Sequence, residues 1–94
     1  MIKQLTNEEL QQGLTTIPGW TVNDAGKLER NLTFDTFQAA FAFMTHVALI
    51  AEKMDHHPEW FNVYNRVKIE LTTHDAGGLS KRDLKLAEAV NKLV

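Results

Sequence analysis

Ninety-four residues make one small domain, enough for a single core without disulfides and too short for a second. With 44% hydrophobic and 23% charged residues, the composition excludes a disordered or low-complexity chain. Ten Lys plus Arg against twelve Asp plus Glu leave a formal charge of −2, so no excess positive field exists to neutralise phosphates, which argues against direct nucleic-acid binding; zero cysteines remove disulfides, thiol nucleophiles and thiolate metal sites.

Taken in chain order, Leu5-Thr6 with Glu9 has the form of a capped helix start, an apolar residue, a cap and an acid three positions on, with Leu10 at staple spacing. This first helix is short and ends near Gly13. Pro18-Gly19 marks a turn and Trp20 to Val22 an extended piece. Asn23-Asp24-Ala25-Gly26 is a hairpin turn into the alternation Leu28, Arg30, Leu32, Phe34. Phe34-Asp35 with Gln38 opens a second helix, predicted from Thr36 to about Lys53, in which twelve of the fifteen residues from Phe37 to Ala51 are apolar. A helix lying on a sheet needs only one apolar stripe. Either loops of the same chain cover the second face or another subunit does, and a homo-oligomer is the expectation because so small a domain has little covering material.

After Pro58, Trp60 to Tyr64 reads as a strand and Asn65-Arg66 as a turn. Val67, Ile69, Leu71 and Thr73 form the buried face of a further strand, with Lys68, Glu70 and Thr72 opposite. Leu79-Ser80 with Asp83, stapled by Leu84, starts a third helix that continues through Ala87 and Val90 to the C-terminus. The predicted fold class is therefore α+β, a single domain over 1–94 with a four-stranded antiparallel sheet and three helices packed on one face. Phe37 to Ala51, interrupted by Thr45 and His46, falls short of the roughly 18 residues a bilayer span needs. Met1-Ile2-Lys3-Gln4 opens no signal peptide, so no membrane partner and a cytoplasmic location are expected.

The residues able to do chemistry cluster in two connections. Asp55-His56-His57-Pro58 follows the long helix, and Pro58 restricts His57 to extended geometry, so the adjacent imidazoles diverge. Read alone, the pair is equally a solvated helix exit capping backbone carbonyls. His74 ends the last strand in Thr72-Thr73-His74-Asp75, ahead of Ala76-Gly77-Gly78, where a loop presents a side chain from a fixed scaffold. Imidazole titrates near neutral pH, so a facing pair holds one proton donor and one acceptor, which points to general acid and base catalysis of an elimination or hydration. Glu52 and Asp55 stand beside the pair, either orienting an imidazole or as ordinary exposed charges. Trp60 and Phe61 suit either stacking on a flat heterocycle or the core. Asp83 and Ser80 have a structural task as helix cap residues, His46 reads as a packing or interface residue, and Gly77-Gly78 lacks a phosphate-loop pattern. Three histidines also raise zinc-dependent hydrolysis, but no H-x-H or H-x-x-E-H spacing occurs, so no metal is expected.

The block Glu52-Lys53-Met54-Asp55-His56-His57-Pro58-Glu59-Trp60-Phe61-Asn62-Val63-Tyr64-Asn65, followed by Thr72-Thr73-His74, Gly78-Leu79-Ser80 and Asp83, closely resembles pterin-4a-carbinolamine dehydratases. The resemblance extends upstream through Gly19-Trp20, Phe34, Phe37, Phe41-Ala42-Phe43-Met44 and Val47-Ala48, and so covers most of the chain. It implies dehydration of a 4a-hydroxytetrahydropterin to the quinonoid dihydropterin and water, the recycling step after aromatic amino-acid hydroxylation, with no cofactor and with assembly as a homodimer or homotetramer. Carried over by position, His56, His57, His74 and Asp83 match catalytic positions. Asp55, His56, His57, Thr72, Thr73, His74 and Asp75 match the pterin-binding loops, with Glu52 and Trp60 as supporting candidates. Such a carbinolamine collapses when its hydroxyl is protonated as it leaves while the N5 proton is removed. His57 and His74 are expected as acid and base, and His56 as the group positioning the ring. Thr72 and Asp75 stand where mammalian-type members carry Ser and Glu. Some animal members resemble this chain and also act as dimerisation cofactors of a homeodomain transcription factor, which would add a nuclear location and a protein partner using the helical surface.

Overall fold

Two of the three cap motifs close as reciprocal capping boxes. The Thr6 hydroxyl accepts from the Glu9 backbone N–H at 3.1 Å while the Glu9 carboxylate accepts from the Thr6 N–H at 2.9 Å, starting α1 (Asn7–Leu14). Ser80 and Asp83 do the same for α3 (Lys81–Asn91). Between them the computed structural model, which describes all of residues 1–94, runs β1 (Thr21–Val22), β2 (Leu28–Thr33), α2 (Phe37–Met54), β3 (Glu59–Val63), β4 (Arg66–Leu71) and a single 3-10 turn at His74–Ala76.

The strands form one antiparallel sheet in the order β1-β2-β4-β3. Its register sets Leu28 opposite Leu71, Arg30 opposite Ile69 and Leu32 opposite Val67, and Trp60 lies on the far side of Ile69, so alternate residues share the helix-bearing face. Leu28, Val67, Ile69 and Leu71 there meet Ala40, Phe43 and Val47 of α2 and Leu86, Ala87 and Val90 of α3 in one core with Ile17 and Trp20. Helix α1 buries no residue fully and adds half-buried Leu10 and Leu14 to the same core. The predicted fold class is the observed one.

Four local expectations are corrected. Helix α2 is capped by Thr36, whose hydroxyl accepts from the Ala39 N–H at 3.0 Å, so Asp35 lies outside the helix and its box with Gln38 does not form; a threonine one place later satisfies the same orphan donor. The β3–β4 turn is Tyr64-Asn65, not Asn65-Arg66. Tyr64 takes a left-handed φ of 50°, and Arg66 is already paired with Val63. Helix α3 stops at Asn91. Strand β4 ends at Leu71, so His74 sits in the turn beyond it rather than on the strand.

Candidate functional site

Two tight chain reversals bring the predicted residues together. Helix α2 ends with Asp55 in the left-handed region at φ 52°, its N–H bonded to the Ala51 and Glu52 carbonyls. The His56 N–H also reaches the Ala51 carbonyl at 3.0 Å, turning that side chain back under the helix end. On the other side, Thr73 and Gly78 exchange backbone hydrogen bonds of 3.1 and 3.3 Å, closing the loop that carries His74 and Asp75. Gly77 ends the 3-10 turn at φ 74°, a conformation that a side chain would strain.

Between these loops lies a hollow of about 310 Å³. Asp55, His56, His57, Thr72, Thr73, His74 and Asp75 all line it, together with Ile2, Glu59 and Arg82. The two neighbouring imidazoles diverge as the sequence predicts. His56 is buried, with Nε2 2.6 Å from Asp83 Oδ1; His57 is exposed, with Nε2 2.7 Å from Glu52 Oε1. In both, Nδ1 is the ring nitrogen left for a ligand. His74 stands exposed on the facing loop.

Asp83 is fully buried, and its second oxygen is also used: Oδ2 accepts from Thr73 Oγ1 at 2.7 Å and from the Ser80 N–H at 2.9 Å. Ser80 Oγ in turn shares a 2.6 Å hydrogen bond with Thr73 Oγ1 and accepts from the Arg82 N–H at 3.2 Å. One carboxylate therefore fixes an imidazole, a hydroxyl and a helix start at once. Asp83 does not line the hollow, and any effect it has on a ligand passes through His56; it is a positioning residue in this geometry. Thr73 reaches the hollow with its hydroxyl already committed to Asp83 and Ser80.

Trp60 is not brought to the hollow: it is half-buried against the core beside Ile69. Phe61 and Tyr64 point to solvent away from the hollow, and His46 is exposed on α2. Ile2, Glu59 and Arg82 were outside the sequence prediction. Arg82 follows directly from the helix start that Ser80 caps, whereas the presence of Ile2 depends on the Leu5 N–H bonding the Leu79 carbonyl at 2.8 Å, a pairing across the whole chain. No three or more His, Cys, Asp or Glu side chains are grouped as a metal ion requires, and no helix is long and apolar enough to cross a membrane.

A second, larger hollow of about 640 Å³ adjoins the first and shares Glu59, Thr72 and His74 with it. At its rim Lys27 Nζ lies 2.6 Å from Glu59 Oε1, and this hydrogen bond holds the Lys27 ammonium above its ordinary pKa.

The family model described as pterin 4 alpha carbinolamine dehydratase matches residues 3–93. A protein of Rhizorhabdus wittichii named "Putative pterin-4-alpha-carbinolamine dehydratase" is 58% identical over 93 residues, covering 98% of this chain and 96% of that one. One of the same name from Prochlorococcus marinus (strain MIT 9313) is 60% identical over 89 residues, covering 95% and 92%. The crystal structure of a transcriptional coactivator/pterin dehydratase from Brucella melitensis superposes with a TM-score of 0.93 at 42% identity, covering 97% of this chain and 98% of that one.

Proposed function

The chain belongs to the pterin 4 alpha carbinolamine dehydratase family, and on that premise we propose that it dehydrates a 4a-hydroxytetrahydropterin to the quinonoid dihydropterin, in recycling of the pterin after aromatic amino-acid hydroxylation in the cytoplasm. The observation that carries this reading is the convergence of three imidazoles, from two separate connections, on one hollow. In the reaction the C4a–O bond breaks, the departing hydroxyl takes a proton and leaves as water, and the N5–H bond gives its electrons to the new C4a=N5 bond as a base takes that proton. One donor and one acceptor on opposite walls suffice.

His74 supplies one wall. On the other, burial favours His56 over His57 for proton transfer. The fully buried Asp83 fixes the His56 ring where water competes least, as the third member of a catalytic triad fixes its histidine. His57, exposed and held by Glu52 outside the hollow, forms the lip that positions the heterocycle. This exchanges the parts expected for His56 and His57 from sequence. Asp55, Thr72 and Asp75 offer acceptors and a hydroxyl to the edge of the pterin.

The test is the rate of 4a-hydroxytetrahydropterin breakdown with and without the protein. His56→Ala and His74→Ala should each lower kcat by roughly 10²- to 10⁴-fold, the usual worth of a positioned acid or base. His57→Ala should act mainly on KM. A larger kcat loss in His57→Ala than in His56→Ala returns the acid–base part to His57, and full activity in all three ends the proposal.

One observation favours a protein-binding role beside catalysis. Phe37, Phe41 and Leu49 on α2 are 47, 54 and 67% exposed, an apolar face beyond what the sheet uses. Self-association through this face, as a homodimer or homotetramer, is the reading adopted. A role as dimerisation cofactor of a transcription factor is the alternative, suggested by the description of the Brucella protein as a coactivator. Sedimentation of Phe41→Glu beside the unaltered chain tests self-association: a monomeric variant supports it, and an unaltered chain that is itself monomeric removes it.

A further inference from the structure

We infer that the N-terminal strap, Ile2 to Leu5, is a positioning element for His74 and acts through the seat of Gln4 on Gly78. This rests on the dehydratase reading above. Of the three imidazoles at the hollow, His56 is fixed by Asp83 and His57 by Glu52, whereas the exposed His74 ring has no carboxylate partner. Its place is therefore set by the backbone that carries it, the loop closed where Thr73 and Gly78 exchange hydrogen bonds.

The two ends of that loop are held from opposite sides. Asp83 and Ser80 hold the Thr73 end from inside the fold. The strap holds the Gly78 end from outside. Leu5, packed against the core, donates its N–H to the carbonyl of buried Leu79 at 2.8 Å, one residue past Gly78. Gln4, next along the strap, lies so close over Gly78 that a β-carbon there would stand 2.6 Å from its Nε2 and 3.1 Å from its Cδ. Unlike Gly77, Gly78 has no left-handed φ, so what it supplies is room, and Gln4 fills that room. The strap then runs on to Ile2 at the hollow itself. A loop clamped at both ends keeps His74 in one place, and displacing a catalytic group by about 1 Å can cost about 10²-fold in rate.

The experiment measures kcat and KM for breakdown of a 4a-hydroxytetrahydropterin, with denaturant midpoints as the check on folding. Gln4→Ala removes an exposed side chain and should leave the midpoint unchanged while lowering kcat roughly tenfold with KM little altered. Gly78→Ala expels the Gln4 amide and should do the same; added to Gln4→Ala it should lower kcat no further, because both changes break one contact. In the His74→Ala background Gln4→Ala should leave the residual rate as it is, whereas a general loosening of the fold would lower it. An unchanged kcat in Gln4→Ala, losses that multiply in the double variant, or an undiminished loss in the His74→Ala background overturns the inference and leaves the dehydratase reading in place. Failure of the unaltered protein to accelerate breakdown overturns both.

Discussion

The same motif opens α1 and α3 and meets two different fates. In Thr6–Glu9 the hydroxyl and the carboxylate satisfy each other's backbone donors at the surface and do nothing further. In Ser80–Asp83 the box is buried; its carboxylate has spare lone pairs facing inward, and Thr73 and His56 occupy them. A capping residue thus becomes the anchor of a functional imidazole, and burial rather than sequence makes the difference. The histidine–carboxylate contacts repeat the lesson. His56–Asp83 and His57–Glu52 have nearly equal lengths, 2.6 and 2.7 Å, but side-chain exposures of 9 and 0% in the first against 58 and 80% in the second. With equal geometry, losing one partner costs more where water cannot replace it.

The sharpest way to break the comparison is Asp83→Ala. It leaves His56, Thr73 and the Ser80 N–H without their acceptor, and each buried group so orphaned costs about 1–3 kcal/mol, so the loss exceeds that of any single-partner change below. Denaturant midpoints should show it, while Glu9→Ala should lose only its cap and keep full turnover. Asp83→Asn separates shape from charge, and turnover should fall roughly 10- to 100-fold, the usual effect of an altered supporting partner, with KM little changed. Next in size, Thr73→Val removes one donor to Asp83 and one partner of Ser80. Leaving such buried groups unsatisfied costs about 1–3 kcal/mol, measurable in the same denaturation series.

The exposed box has a pH signature of its own. The backbone hydrogen bond from Thr6 is the main cause holding the Glu9 pKa below its ordinary value. Its contribution is therefore fully present above the unfolded-state pKa and is lost as pH falls through the lower folded-state pKa. Midpoints of the unaltered chain and Glu9→Ala should differ at pH 7 and converge at about pH 2, well into the acid range of carboxylates. The smallest effect belongs to Glu52→Gln, which should change stability by less than about 1 kcal/mol because the pair it breaks is solvated. A loss as large as that of Thr73→Val would remove the distinction between the two histidine pairs.

Much of this molecule is legible in its sequence because local signals and burial agree. The Thr6 and Ser80 caps, the Asn23 to Gly26 turn and the alternation of Val67, Ile69 and Leu71 all name their own structure. Asp35 misleads because the adjacent Thr36 is also a competent cap, and a few tenths of propensity do not fix a helix boundary to one residue. Trp60 takes the core alternative of its two readings, because the register with Ile69 turns it inward, away from the histidine loop beside it. The site's two loops can be located from His56, His57 and His74, but the partners that set their chemistry cannot. Asp83 lies 27 positions from His56, and Ile2 reaches the hollow only through the pairing of Leu5 with Leu79. Distance along the chain hides these contacts, and Asp83 is further hidden by already having a sufficient local reason to exist.

The most direct measurement is single-turnover breakdown of a 4a-hydroxytetrahydropterin by the folded His56→Ala/His74→Ala double variant, beside the unaltered protein. Removal of both walls' proton-transfer groups is expected to bring the rate down to near that of the unassisted reaction. A double variant that keeps the kcat of the unaltered protein would contradict the assignment of dehydration to imidazoles facing each other across this hollow.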